Sequence, residues 1–293
     1  MNVYQNSSYS MGTRFNLLLP GVDKPEGDRL FSFCLQELSR MESMLSCFIE
    51  DSLISQINRH AFDNDFKVTG ELFEILEDCR KCFELTQGAF DIGLGKLIDH
   101  WNGKQNSEDI DVLTREGSIK NIILDKAQKT IRFKSPNVKL NLGGYGKGYA
   151  LERIQNLLTV RNISSAFISF GESSICCIGK HPYGDYWSIG IQDFYQKEKS
   201  IATLKLVDQS VSTSANMEVN NHVINPRKGK PVVEKVMITV KSNSATEAEV
   251  LSTALMVADE SQWENIQNAF LGIEILKVKY KNKKAEILKN ENH

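Results

Sequence analysis

The stretch KLNLGGYGKGYALERI (residues 139–154) joins two kinds of apolar pattern. At its start, residues 138–142 (VKLNL) have apolar side chains at alternate positions, as in a short strand. From its second half onwards, residues 148–158 repeat apolar side chains with the period of a helix. Four glycines lie between the two runs, so this part of the chain predicts a strand, a glycine-rich turn and a helix.

Further elements of both kinds lie on either side of this stretch. Helical spacing of apolar residues predicts helices over residues 28–45, with Asp28 as the cap, over 71–85 and over 246–258. The predicted strands cover residues 14–19, 119–124, 130–133, 165–170, 186–192, 201–206, 236–240 and 273–280. Strands and helices do not alternate regularly, which favours a mixed α+β fold over a doubly wound parallel sheet. Without a repeat, a low-complexity tract or a long linker, residues 1–293 are expected to form a single domain.

Composition excludes some classes of protein. The 293 residues are 41% hydrophobic and 25% charged, as in soluble globular proteins, and the net charge is −2. A nearly neutral chain lacks the basic surface of a nucleic-acid-binding protein, so no nucleic acid partner is expected. No apolar run approaches the length of a membrane span. The basic tail, residues 277–289, alternates lysine with apolar residues and predicts an exposed edge strand.

The N-terminus and the cysteines bear on the compartment. Residues 1–15 show no basic start followed by an apolar run, so no signal peptide is visible. The six cysteines suggest no orderly pairing, and the single CxxC at Cys79 and Cys82 lacks the second ligand pair of a zinc site. We therefore expect reduced thiols and a cytoplasmic protein. A periplasmic lipoprotein is the alternative if a leader has been removed.

The glycine-rich turn has two interpretations. Glycines allow backbone amides to approach a phosphate closely, the following helix N-terminus attracts anions, and Lys147 adds a positive charge there. The alternative is a structural turn with a solvated lysine, and the spacing alone leaves both open. The motif is neither the Walker sequence nor the dinucleotide-binding fingerprint.

Two further segments contain polar groups suited to catalysis. Glu249 and Thr253 are one helical turn apart, so a carboxylate and a hydroxyl share a face and could bind Mg²⁺. Such a pair is also common on solvated helix faces. His222 precedes the Asn225-Pro226 turn, where a general base could project into a cleft, although a lone histidine is more often structural.

Taken in order, these segments resemble the ApbE family of FAD:protein FMN transferases over nearly the whole chain. The matching motifs are Met11-Gly12-Thr13, Ser52-Leu-Ile-Ser-Gln-Ile-Asn58, Gly88-Ala89-Phe90-Asp91, Asn141 to Gly148 of the glycine-rich turn, Thr213-Ser214, His222-Val-Ile-Asn-Pro-Arg-x-Gly and Glu249-x-x-x-Thr253. The resemblance implies an ApbE-like, T-fold-like architecture of largely antiparallel sheets with packed helices.

The resemblance also implies an activity. Members hold FAD and Mg²⁺ and transfer the FMN half of FAD to a threonine or serine hydroxyl of a target protein, with AMP as the leaving group. By the same resemblance, Glu249, Thr253 and a backbone carbonyl near Gly144 would bind Mg²⁺, and His222 would accept the proton of the hydroxyl. The residues implied for the FAD site are Met11, Phe48, Gly88, Ala89, Phe90, Asn141, Lys147 and Ile224.

Several positions differ from the family pattern. The usual metal-binding aspartate is Glu249, which is one methylene longer, and the usual flavin-site tyrosine is Phe48. Asn141 and Asn225 replace aspartates, so two carboxylates become neutral amides. The family's Gly-Gly after the predicted strand 165–170 is Gly171-Glu172, and its Thr-Ser-Gly ends in Ala215.

Two other functions remain open at this stage. One is a relative without catalytic activity that binds FAD or an adenine nucleotide. The other is an FAD pyrophosphatase that releases FMN and AMP because water replaces the protein hydroxyl. The joint presence of Lys147, His222 and Thr253 favours transfer, since a binding protein has no need of a base.

Overall fold

The computed structural model describes residues 1–103, 109–217 and 223–291. Its strands are β1 (Val3–Ser10), β2 (Thr13–Pro20), β3 (Phe66–Lys67), β4 (Ile122–Asp125), β5 (Thr130–Phe133), β6 (Ala166–Phe170), β7 (Ser174–Ile178), β8 (Trp187–Gln192), β9 (Ser200–Leu206), β10 (Ser210–Asn216), β11 (Ile224–Asn225), β12 (Lys230–Pro231), β13 (Val236–Ser242), β14 (Glu274–Lys281) and β15 (Lys284–Glu291). Its helices are α1 (Lys24–Leu45), α2 (Leu53–His60), α3 (Gly70–Leu85), α4 (Gly95–Trp101), α5 (Ile110–Glu116), α6 (Gly146–Thr159), α7 (Ala245–Val257) and α8 (Glu260–Ala269), and a 3₁₀ turn covers Ile119–Asn121.

A large sheet organises the molecule. It has eight strands in the order β1-β2-β6-β7-β10-β13-β14-β15, and every neighbouring pair is antiparallel. Smaller antiparallel sheets pair β3-β5-β4, β8-β9 and β11-β12. The mixed α+β fold with antiparallel sheets is therefore confirmed.

The two faces of the large sheet are covered differently. On one face, α1, α6 and α7 pack on each other and on the strands, and this layer holds the main hydrophobic core. On the other face lies the β8–β9 hairpin, whose Trp187, Ile189 and Leu204 pack against residues such as Val211 and Met237 of the sheet. The second face is thus apolar where the hairpin covers it.

The glycine-rich turn differs from its prediction at both ends. Residues 138–142 form an extended segment with a single parallel bridge from Lys139 to Leu94, not a strand. The backbone amides of this segment are partly used by the turn that follows Phe90, since the Asn141 amide donates to the Ile92 carbonyl at 2.8 Å. The helix begins at Gly146, two residues before the predicted start.

Gly148 allows α6 and α7 to approach each other closely. A Cβ atom at this position would lie 2.5 Å from the Ala245 carbonyl oxygen, 2.7 Å from Thr246 Cα and 2.8 Å from Glu249 Cβ. These distances are shorter than van der Waals contact, and two of the three atoms are backbone. This glycine therefore serves helix packing, which brings the neighbouring Lys147 against α7.

One other local prediction was wrong, and one was correct only in part. The cap of α1 is Asp23, whose carboxylate accepts from the Glu26 amide at 3.0 Å, because the helix starts four residues earlier than expected; Asp28 lies inside it. In the basic tail, β14 is paired on both sides, and the edge strand is β15. The tail therefore forms two strands where one was predicted.

None of the six cysteines, all of which lie in the described residues, forms a disulfide. Five are buried, Cys47 is half-buried, and burial raises the pKa of the Cys34 and Cys82 thiols to about 12. Among the helices of the described residues, none combines the length and low polarity needed to cross a bilayer.

Candidate active site

A cavity of about 380 Å³ lies where α6, α7, the glycine-rich turn and the β11 segment meet. Seven separate segments of the chain line it, and they include most of the residues singled out from the sequence. Its lining is Phe48, Ala89, Phe90, Asp91, Leu94, Ile98, Asn102, Asn141, Gly143, Gly144, Lys147, Ser173, Thr213, Ser214, Val223, Ile224, Pro226, Glu249, Thr253 and Val257.

An ion pair between α6 and α7 lies in this cavity. The Lys147 ammonium donates to Glu249 Oε1, and the other carboxylate oxygen, Oε2, accepts from Ser174 Oγ at 2.7 Å and Ser212 Oγ at 2.8 Å. Glu249 is only 4% exposed, whereas the Lys147 side chain is 25% exposed towards the cavity. A buried carboxylate needs such partners, and the ammonium remains accessible to an anionic ligand.

Hydroxyl groups surround the next turn of α7. Thr253 Oγ1 donates to the Glu249 carbonyl oxygen at 3.2 Å and lies 3.5 Å from Ser214 Oγ. A Cβ on Gly144 would lie 3.1 Å from Thr253 Oγ1, so the glycine-rich turn touches this hydroxyl. The fold therefore brings together the three predicted residues Glu249, Thr253 and Gly144. One wall of the cavity thus carries the carboxylate of Glu249, the hydroxyl of Thr253 and the backbone of Gly144.

A second wall of the cavity is aromatic and apolar. Phe48 is 79% exposed, and Phe90 is buried with its ring beside Gly144. Thr86, at the end of α3, fixes Phe90: its Oγ1 donates to the Cys82 carbonyl at 2.7 Å and accepts from the Phe90 amide at 3.1 Å. Planar rings on this wall suit a flat aromatic ligand group.

Asp91 holds the loop behind this wall. Its carboxylate accepts from Ser118 Oγ at 2.6 Å and from the amides of Gly93 and Ile119 at 2.8 and 2.9 Å. Enclosure in the protein raises the pKa of the Asp91 carboxyl, and these three donors oppose that increase. Through these bonds the Asp91 carboxylate fastens the loop after Phe90 to Ser118 and Ile119.

The two asparagines that replace family aspartates use their amides in turns. Asn141 Oδ1 accepts from the Gly143 amide at 2.9 Å and so shapes the glycine-rich turn. Asn225 Oδ1 accepts from the amides of Arg227 and Lys228, each at 3.0 Å, while its Nδ2 donates to the Val257 carbonyl at 2.9 Å. An ionised carboxylate could not make that last bond, so Asn225 joins its turn to the end of α7.

Two predicted residues of the described ranges do not line the cavity, and a third lies outside those ranges. Met11 lies in the β1–β2 turn, where its amide donates to Glu42 Oε1 at 2.7 Å and its Cε packs near Gly146. Gly88 has φ of +80° at the end of α3 and supports the loop that positions Phe90. His222 lies outside the described residues, so its role stays a prediction; Val223, the next residue, lines the cavity.

The donor set on the α7 wall fits Mg²⁺. Mg²⁺ takes oxygen ligands, and it commonly uses one or two carboxylates together with water and phosphate oxygens. Glu249 supplies the carboxylate and Thr253 the hydroxyl, although the ammonium of Lys147 now pairs with Glu249 Oε1. Within the described ranges, no group of three or more His, Cys, Asp or Glu residues could hold a metal. Binding would therefore depend on few protein ligands and on displacement of Lys147.

Two serines that bind the Glu249 carboxylate were not identified from the sequence. Ser174 begins β7 and Ser212 lies in β10, and both are buried. Successive side chains of a strand point to opposite faces, so the spacing of Ser210, Ser212 and Ser214 was a signal for a polar stripe facing a buried charge.

Comparison with known proteins identifies relatives along most of the chain. The ApbE family model matches residues 11–276. A protein named FAD:protein FMN transferase from Klebsiella pneumoniae (strain 342) is 25% identical over 269 residues, 86% of this chain and 82% of its own length. One of the same name from Escherichia coli (strain K12) is 25% identical over 268 residues, 85% of this chain and 76% of its own length.

Solved structures show the same fold. The flavin transferase ApbE from Vibrio cholerae superposes with a TM-score of 0.84 at 20% identity and covers 99% of this chain and 97% of its own. The ApbE protein from Thermotoga maritima gives a TM-score of 0.86 at 24% identity, with the same coverage of 99% and 97%.

Proposed function

The chain belongs to the ApbE family, and we propose that it transfers the FMN moiety of FAD to a threonine or serine hydroxyl of an acceptor protein, with release of AMP. One observation supports this function above others. The cavity combines an accessible ammonium, an oxygen-rich wall and an aromatic wall, which match the pyrophosphate and the ring system of a flavin dinucleotide.

Each wall has a part in binding. The Lys147 ammonium pairs with a pyrophosphate oxygen, which is a stronger acceptor for it than water. The turn at Gly143 and Gly144 lets the ligand approach the backbone closely, and Phe48 and Phe90 pack against flat rings. Mg²⁺ held by Glu249, Thr253 and the Gly144 carbonyl would supply further neutralisation of the pyrophosphate charge.

The proposed reaction is a single displacement at phosphorus. The acceptor oxygen forms a bond to the FMN phosphorus, the bond from that phosphorus to the bridging oxygen breaks, and AMP leaves with the bridging oxygen. The hydroxyl proton goes to a base, for which we propose His222 on its sequence motif. Lys147 stabilises the negative charge that develops on the phosphate oxygens.

The test uses purified protein, FAD, Mg²⁺ and short synthetic peptides that each contain one central threonine or serine. AMP and peptide-bound flavin that form together, and only with peptide, are the expected result. AMP without peptide would indicate hydrolysis, and bound FAD without AMP would indicate a binding protein; either result would refute transfer.

Matched variants connect the activity to the cavity. Glu249→Gln removes one charge at the oxygen-rich wall and is expected to abolish transfer. Glu247→Gln makes the same change two residues away on α7, outside the cavity lining, and is expected to keep it. His222→Ala should bind FAD but lose turnover, and unchanged turnover would exclude His222 as the base.

A further inference from the structure

A second cavity, of about 720 Å³, lies on the opposite face of the large sheet. Its floor is the outward face of β2, β6, β7, β10 and β13, and its wall is β8 with the residues that follow it. We call it the hairpin channel; it is lined by Asn16, Phe167, Ser169, Gly171, Glu172, Ser173, Ile175, Ser188, Ile189, Gly190, Ile191, Gln192, Asp193, Phe194, Lys197, Val211, Thr213, Ala215 and Met237.

The wall of the channel is an unpaired strand edge. Strand β8 pairs with β9 along one side, and within the described residues no strand pairs with its other side. Hydrogen bonds alternate along an antiparallel pair, so alternate residues of β8 turn their amide and carbonyl groups away from β9. An edge of this kind can accept an extended polypeptide as an additional strand.

The hairpin channel adjoins the candidate active site. Ser173 and Thr213 line both cavities. Side chains alternate along β10, so Thr213 faces the channel and bonds Thr239 Oγ1 at 2.9 Å, whereas Ser212 and Ser214 face α7. The two cavities thus meet around the β6–β7 turn and β10, close to the hydroxyl cluster beside Glu249.

We propose that the hairpin channel binds an extended segment of the acceptor protein as a strand along β8 and delivers its hydroxyl at the junction formed by Ser173 and Thr213. This inference rests on the proposed function. Strand β8 has six residues, roughly 20 Å of extended chain, which is long enough to fix the register of a short segment. FAD would enter from the other side of the sheet, so the two substrates would not compete for one opening.

The lining indicates what the segment contains. The apolar residues of the floor differ in exposure: Ile175, Val211 and Met237 are buried beneath the hairpin, whereas Phe167 is half-buried and Ala215 is exposed. A strand placed on this floor turns every second side chain towards it. The channel therefore favours segments with small or apolar side chains where they face Phe167 and Ala215, beside the accepting hydroxyl.

The test adds bulk to the floor without touching the FAD cavity. Ala215→Trp fills the channel, and Thr203→Trp adds the same bulk to an exposed position of β9 outside the lining. With the synthetic peptides described above, Ala215→Trp should lower kcat/KM for peptide by about tenfold or more. The added ring occupies space that the bound segment needs, and the loss of well-packed interface contacts has effects of this size or larger. Its affinity for FAD, measured by flavin fluorescence, should be unchanged, and Thr203→Trp should behave as wild type. If the tryptophan variant does not fold, Ala215→Leu replaces it.

A second measurement does not depend on turnover. Hydrogen exchange of the amides of β8 should slow when the best acceptor peptide is added to wild-type protein, and should not slow in Ala215→Trp. Transfer that is equally efficient in both Ala215 and Thr203 variants, or unchanged exchange in β8, would overturn the channel proposal while leaving the transferase function intact. Loss of all transfer by wild type would instead refute the function.

Discussion

Replacement of Lys147 by methionine tests the ion pair that joins α6 to α7. We expect Lys147→Met to lower the free energy of unfolding by about 1–3 kcal/mol, because the carboxylate of Glu249 would keep only its two serine donors. Removal of one partner from a fully buried pair costs about 3–5 kcal/mol. The expected value is smaller, since the Lys147 side chain is 25% exposed and solvent screens the pair. For a chain of this size the change corresponds to roughly 2–6 °C in Tm.

The same variant tests whether Lys147 and Mg²⁺ compete for Glu249. In Lys147→Met, Oε1 of Glu249 loses the ammonium that it accepts from in wild type. MgCl₂ should therefore raise the Tm of Lys147→Met more than that of wild type. A cation that binds only the folded state at about 100 times its Kd contributes about 2.7 kcal/mol, which would offset the loss. Thermal unfolding is measured with MgCl₂ and with KCl at equal ionic strength.

A matched control separates this effect from general charge removal. Lys241 pairs with Glu274 at 3.2 Å across β13 and β14, and both side chains are 18% exposed. Lys241→Met should lose stability without a larger response to Mg²⁺. Equal Mg²⁺ responses in wild type and Lys147→Met would refute the competition, and an unchanged Tm of Lys147→Met would refute the ion pair.

Three further predictions concern packing and thiol chemistry. Gly148→Ala should lower the free energy of unfolding, measured in urea, by about 1–3 kcal/mol because the added methyl group overlaps the backbone of α7. Gly70→Ala, where the methyl group would meet nothing within 4 Å, should be neutral or slightly stabilising, and equal effects of the two variants would contradict the close helix crossing. Thr86→Val should lower the free energy of unfolding by about 1–3 kcal/mol in the same assay and weaken FAD binding, because the Phe90 amide loses its acceptor. Unchanged affinity for FAD would contradict the role of Thr86 in positioning Phe90. In the folded protein at mildly alkaline pH, a thiol reagent should modify Cys47 rapidly and the other five cysteines slowly, because those five thiols are buried. Two or more rapid modifications would show that the core opens.

Elements with clear apolar periodicity were predictable from the sequence. The helix predicted over residues 246–258 is α7, displaced by one residue at each end, and the strand predicted over 14–19 is β2 with one more residue at each end. In β2 burial alternates as the apolar residues do, whereas α7 is buried nearly all round, including Thr246, Glu249 and Ser252. Local information was thus sufficient to locate both elements, but not to show which polar residues of α7 are buried.

Strands with a polar face were missed. Strand β10 (SVSTSAN) has serine at alternate positions, and β1 (VYQNSSYS) is mostly polar. Polarity usually indicates a loop, but Ser212 and Ser214 of β10 face Glu249 and Ser252 on α7, which bind their hydroxyls in the interior. The sequence alone does not show which helix faces a strand, so the reason for these serines was visible only in the fold.

The positions of the site residues depend on contacts between distant segments. Lys147 and Glu249 are 102 residues apart, and they meet because Gly148 lets α6 lie against α7 at the point where Glu249 emerges. The carboxylate then reaches Ser174 and Ser212, which are neighbours only because β7 pairs with β10 in the large sheet. A glutamate is one methylene longer than the aspartate of the family pattern, and that length lets one carboxylate contact a helix and two strands. The longer side chain at this position is therefore matched by its surroundings: three donors hold the Glu249 carboxylate, and one of the three, the partly exposed ammonium of Lys147, is the donor with which a cation would compete.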